Sequence, residues 1–182
     1  PDIPVYVQYA WGSDSHIRAS ALLRELSYRS TLEQKNHFAT GWGVQLSAVS
    51  DLGAGLSVFG HATYGHGIAA YVNDLGGNGY DLVPDGNGRL QAPGTFAWTA
   101  GFTYQPVKPL LLSACYSQAQ AYDLKYMTDD SYRYGQYAAF TAFYNANSDL
   151  QFGLEYLWGR RNDINGLSGH ANRLEASIQY NF

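Results

Sequence analysis

The chain closes on "NRLEASIQYNF", in which polar and apolar side chains take strict turns up to a final phenylalanine. In an extended strand successive side chains point to opposite faces. Asn172, Leu174, Ala176, Ile178, Tyr180 and Phe182 therefore share one face, while Arg173, Glu175, Ser177, Gln179 and Asn181 share the other. The pattern predicts a strand with an apolar medium on one side and water on the other.

The same period recurs along the chain. Leu150, Phe152, Leu154, Tyr156 and Trp158 alternate with Gln151, Gly153, Glu155 and Gly159. Phe96, Trp98, Ala100, Phe102 and Tyr104 alternate with Thr95, Ala97, Thr99, Gly101 and Thr103. Leu56, Val58, Ala62 and Tyr64 oppose Ser57, His61, Thr63 and Gly65, and Trp42, Val44, Leu46 and Ala48 oppose Gly41, Gly43, Gln45 and Ser47. A shorter example is Ile3, Val5, Val7 and Tyr9. Residues 108–122 set Leu110, Leu112, Ala114 and Tyr116 against Ser113, Cys115 and Ser117, whereas residues 131–144 do not declare an apolar face. Residues 16–29 begin with Ile17, Ala19, Ala21 and Leu23 on the apolar side, but Leu26 and Tyr28 have the wrong parity, which a bulge near Arg24 and Glu25 repairs. Nine strands result.

Their connections alternate in length. Tight links rich in Gly, Pro, Asn, Asp and Ser fall at 12–15, 50–53, 105–108 and 145–148, and longer ones at 30–36, 73–93, 123–131 and 162–169. Transmembrane barrels sort their links in this way, with short periplasmic turns and longer external loops. The aromatics agree with that reading, because Tyr and Trp gather at the two membrane interfaces. With the last strand running inward, Tyr9, Trp11, Tyr104, Tyr144, Tyr180 and Phe182 fall toward the periplasmic rim. Tyr28, Phe38, Trp42, Tyr64, Phe96, Trp98, Tyr156 and Trp158 fall toward the outer rim. A soluble barrel with the same strands would coat its surface with oily residues.

Composition narrows the remaining classes. No run approaches the ~18 apolar residues of a membrane-spanning helix. Sixteen tyrosines and 20 glycines beside 14% charged residues suit strands with one wet and one oily face. A net charge of -4 without a basic tract argues against nucleic acid. The single cysteine, Cys115, excludes an internal disulfide framework and a multi-cysteine zinc site. The start of the sequence lacks the charged, apolar and small-residue pattern of a signal peptide, so the chain is expected to be processed or incomplete at the front.

These readings predict an all-β fold: one domain over residues 1–182, an antiparallel transmembrane β-barrel wall in the bacterial outer membrane. Counting back from an inward-running ninth strand makes the first strand run inward too. Single-chain bacterial barrels carry even strand numbers, so the nine strands are expected to be the carboxy-terminal half of a larger barrel.

"YGHGIAAYVNDLGG" (64–77) leading to "DLVPDGNGRLQ", then "GLEYLWGRRND" (153–163) and "NRLEASIQYNF", resemble the DcaP-type porins of Gram-negative outer membranes. The resemblance implies a barrel of about 16 strands, a homotrimer, and passive uptake of small, often anionic solutes. It also implies that the terminal Phe strand is read by the barrel-assembly machinery. The sequence departs from that family in having about half the strands and no amino-terminal helical segment. Expected surroundings are the lipid bilayer and lipopolysaccharide, with no cofactor.

Channels select by the charges lining the lumen and by loops that narrow it. The inward parity offers Arg18, Arg24, Arg161 and Arg173, opposed by Glu155 and Glu175, with His61 between them. A basic wall would favour anions; alternatively Arg173 and Glu175 pair with strand neighbours and fill the lumen. Trp42, Trp98, Tyr104, Trp158, Tyr180 and Phe182 are the expected interface aromatics. The 73–93 link, carrying Asp74, Asp81, Asp85 and Arg89, reads first as a solvated loop, with an inward constriction as the alternative. It lacks the ligand spacing of a helix-loop-helix calcium site, and no metal is expected.

Two rival classes remain, an adhesin-like structural barrel and an outer-membrane enzyme. For the enzyme, His16, His37, His61, His66 and His170 are scattered, and none accompanies a G-x-S-x-G nucleophile signature. His61 and His66, five residues apart, fall on opposite faces rather than forming a metal pair.

Overall fold

The computed structural model describes residues 1–30 and 33–182. Among these residues nine strands form one antiparallel meander: β1 (Asp2–Trp11), β2 (Ser15–Arg29), β3 (Asn36–Gly53), β4 (Leu56–His66), β7 (Gly94–Val107), β8 (Leu110–Ala121), β9 (Tyr132–Asn145), β10 (Leu150–Asp163) and β11 (Ser168–Tyr180). The link between β4 and β7 contains a 3-10 turn (Ala69–Tyr71) and a small hairpin, β5 (Val83–Pro84) with β6 (Leu90–Gln91). No described helix is long and apolar enough to cross a membrane. Each wall strand has at least the roughly 9–11 residues that a tilted membrane-spanning strand needs.

Register joins the apolar positions into one continuous outer face. Ile3 lies opposite Leu23, Leu23 opposite Trp42, and Trp42 opposite His66. Farther along, Tyr104, Leu112, Ala142, Leu154 and Ala176 fall on one cross-strand row. Leu154 is 53% and Ile178 72% exposed. An apolar surface of this extent is costly in water and suited to lipid. The undeclared faces of 131–144 are now assigned: Phe140 and Tyr144 are on the outer face, while Tyr137 and Phe143 share the inner parity of Gly153. Phe143 lies over Gly153, where an added Cβ would come within 2.9 Å of the ring.

The expected bulge at Arg24 and Glu25 is absent. Strand β2 pairs in unbroken register with both neighbours, Arg24 opposite Asp2 on one side and Gly41 on the other. Leu26 and Tyr28 simply face inward, because the 67–93 link covers them. An added Cβ at Gly67 would meet Leu26, and the Leu90 amide donates to the Tyr28 hydroxyl at 3.0 Å. Tyr28 therefore leaves the outer aromatic belt, and the parity break marks an inner contact. The irregularities of register lie at strand ends instead, at Asp51/Gly53, Tyr104/Val107 and Asn162/Asp163. The alternation of link lengths also fails once, since 164–167 between β10 and β11 is as short as 146–149 between β9 and β10.

The packed core is not between layers of sheet. It is the β4–β7 link lying on the inner face of the wall, where Ile68, Leu75 and Val83 are each 1% exposed. The wall receives them on two adjacent inner rows of small residues. Gly43, Gly65, Thr95 and Ala121 are successive cross-strand partners, as are Ala97, Ala119 and Gly135. A Cβ on Gly43 would stand 3.1 Å from Ile68 Cγ2, so Ile68 occupies the space that a side chain there would fill. The solvated reading of the link is thus overturned by its apolar half, which finds a surface of glycine and alanine on which to bury.

Candidate functional site

The inner face and the link together form the candidate site. Arg24, one of the four inward arginines, is the anchor between them. Its guanidinium pairs with Asp81 of the link at 3.0 Å and with Asp2 of β1 at 3.2 Å. It also donates to the Gly67 carbonyl at 2.7 Å and lies 5.0 Å from the Tyr71 ring centroid. Tyr71 in turn donates to Asp2 at 2.6 Å, and Asp81 accepts the Ala70 amide at 3.0 Å. The Arg24 side chain is 10% exposed, and its charge is committed to holding the link.

The other arginines differ in what they face. Arg161 pairs with Asp163 at 2.7 Å and donates to the Asp130 carbonyl at 3.2 Å. Arg173 pairs with Glu175 at 2.5 Å on the same strand. Glu155 lies directly across from Glu175 and accepts the Thr141 hydroxyl. Arg18 donates twice to Gln8, at 2.9 and 2.6 Å, and lies 4.7 Å from the Tyr6 ring centroid. Of the four expected inward arginines, it is the one without a carboxylate at ion-pair distance among the described residues.

The register places all seven expected lining residues on the inner face. His61 sits in a ladder of cross-strand partners running Arg18, Ser47, His61, Thr99, Ser117 and Tyr137. Between this ladder and the link lies an open cavity of about 510 Å³. The wall contributes Gln45, His61, Thr63, Thr99, Ser117 and Tyr137, and the link contributes Tyr71, Asn73 and Asp74. Gln45 donates to Thr63 at 3.0 Å.

Among the expected link residues, Asp74 and Asp81 turn toward the wall. Asp85 instead caps its own hairpin, accepting the Asn87 and Arg89 amides at 2.7 and 3.1 Å. Those amides hold its carboxyl below the usual carboxylate range. Arg89 is exposed. Tyr80 is buried and donates to the Tyr132 carbonyl at 3.1 Å; burial pushes its phenol up. The six expected interface aromatics stand on the outer parity or at the strand end, with Trp42 5.8 Å from the Tyr64 centroid and Tyr180 6.5 Å from that of Phe182.

Sequence parity missed the residues that seat the link. Ile68 and Leu75 carry no periodic signal, and Gly43, Gly65, Ala97 and Ala119 look like ordinary small strand residues. Only the cross-strand register brings them together.

The chain matches no protein-family model and no curated protein. Two solved structures are similar. The outer membrane channel DcaP of Acinetobacter baumannii superposes at a TM-score of 0.71, with 19% sequence identity, over 98% of this chain and 62% of that one. The NanC porin reaches a TM-score of 0.49 and 13% identity over the whole of this chain and 93% of that one. The likeness to the channel shows the fold, an antiparallel β-barrel wall. This chain spans less than two thirds of that channel's length.

Proposed function

We propose that the chain forms part of the wall, and the constricting link, of an outer-membrane diffusion channel for small hydrophilic solutes. The observation that carries this reading is a single sheet with a lipid-suited outer face and a polar inner face, onto which its longest link is folded. An adhesin-like barrel has no need of an inward link clamped by a nearly buried arginine. Reconstitution into liposomes tests the proposal: sugars of a few hundred daltons should swell them, and absence of swelling by inserted protein would refute it.

The wall is proposed to continue beyond these nine strands. Among the described residues strands β1 and β11 each have one partner, and unpaired backbone groups facing hydrocarbon are prohibitively costly. In a nine-strand meander the first and last strands run the same way, so joining them directly needs a parallel seam. Further antiparallel strands, as half of a barrel of about 16, complete the wall without one. The sequence resemblance extends the proposal to a homotrimer in Gram-negative outer membranes, with the terminal strand of each chain read by the barrel-assembly machinery.

Anion preference is the narrower form of the proposal, and the observation favouring it is Arg18. The other three inward arginines are paired with carboxylates. Selectivity for anions therefore rests on Arg18, with Arg161 and Arg173 contributing little.

A further inference from the structure

The cavity between link and wall has a chemistry distinct from that of Arg18. Gln45, Thr63, Thr99 and Ser117 present amide and hydroxyl groups, and Tyr71 and Tyr137 bring phenol rings from opposite sides. Hydroxyls donate and accept equally well. A partner that offers closely spaced groups of both kinds satisfies such a lining, and an aromatic ring suits the apolar face of a cyclic polyol. The volume of about 510 Å³ lies within the range of small-molecule sites.

Charge narrows the class further. Asp74 is the carboxylate of this lining, and no lysine or arginine belongs to it among the described residues. An anionic solute here would meet Asp74 in a lumen where charges are screened less than in bulk water. Arg161, which shares the adjoining cavity with Asp74, is already paired with Asp163. We propose that this cavity is a binding subsite for uncharged polyhydroxylated solutes of mono- to disaccharide size. The inference rests on the channel reading and adds the solute class to it.

Planar-bilayer recordings of the inserted protein test it, with glucose and maltose as neutral probes and gluconate as an anion of similar size. Both sugars should interrupt the current at millimolar concentration. Thr99→Val and Ser117→Val should each weaken that interruption about fivefold, the loss expected for one hydrogen bond. Thr99→Ser, which keeps the hydroxyl, should restore it. Asp74→Asn should strengthen interruption by gluconate about fivefold. The subsite is refuted if current flows and neither sugar interrupts it, or if Thr99→Val and Ser117→Val both leave the interruption by glucose unchanged. Inserted protein that passes no current refutes the channel reading and the subsite with it.

Discussion

Replacing Arg24 with alanine tests the clamp that holds the link against the wall. Three contacts enter the magnitude. The pair with Asp81 is partly exposed and contributes up to about 1 kcal/mol. The charged hydrogen bond to the Gly67 carbonyl contributes about 1.5 kcal/mol or more, and the guanidinium over Tyr71 about 0.5 kcal/mol. The arm to Asp2 faces water and is left out. A loss of about 3 kcal/mol changes the undocked fraction by roughly a hundredfold. Burial of Ile68, Leu75 and Val83 remains, each side chain contributing about 1.5–3 kcal/mol, so the docked link stays the major state. The assay is amide exchange of the peptide covering residues 68–76, whose Val72 and Leu75 amides donate within the link. In Arg24→Ala its exchange should accelerate roughly a hundredfold, while strands β8 and β9 keep their protection. Single-channel currents should become larger and noisier as the link leaves the lumen. Exchange within about threefold of the parent, less than 1 kcal/mol, would show that Arg24 is not an anchor.

Three further outcomes are expected. Ala176→Arg places a charge on the outer face and should cost about 2–4 kcal/mol near the bilayer midplane, whereas Ser177→Arg faces the lumen and should be mild; equal urea midpoints in lipid would count against the assigned faces. Arg18→Ser should reduce anion preference in low-salt reversal potentials more than Arg161→Ser or Arg173→Ser does. The difference should vanish near 1 M salt, where the screening length is ~3 Å; equal effects of all three would remove the special place of Arg18. The Asp85 carboxyl is held below its usual range, so its contribution to the 83–91 hairpin is complete above that range and lost as pH falls through the depressed value. Protection of the Asn87 and Arg89 amides, corrected for intrinsic exchange, should follow that fall, and Asp85→Asn should lack the transition.

Period-two alternation made the strands legible because lipid outside and water inside impose opposite demands on neighbouring residues. It carried the outer face of β3, β4, β7, β8, β10 and β11 down to individual side chains. It failed where the inner face is itself apolar. Leu26 and Tyr28 looked like errors of parity, although they are correct positions beneath a link more than forty residues away. The faces of 131–144 were ambiguous for the same reason, since Tyr137 and Phe143 share the inner side with Gly135 and Thr141. The arginines were found by parity, but their partners were not. The Arg24 pair with Asp81 joins a strand to a distant link, and nothing local in either stretch announces it.

The place at which the link seats on the wall is set by the absence of side chains. A wall that lined its lumen uniformly with residues the size of Gln45 would hold an apolar link away from the sheet. Here two neighbouring inner rows, Gly43 to Ala121 and Ala97 to Gly135, shrink together across β3, β4, β7, β8 and β9. Along that strip the link comes close enough to bury Ile68, Leu75 and Val83, so its apolar side is spent on the wall. Its polar groups at Asn73 and Asp74 are then left beside the ladder of Ser47, His61, Thr99 and Ser117. Glycine and alanine, which form no side-chain hydrogen bonds, thus decide which polar residues face one another across the cavity between link and wall. Enlarging Gly43 to valine should therefore alter permeation by moving the link as a body, even though that residue does not line the cavity beside His61.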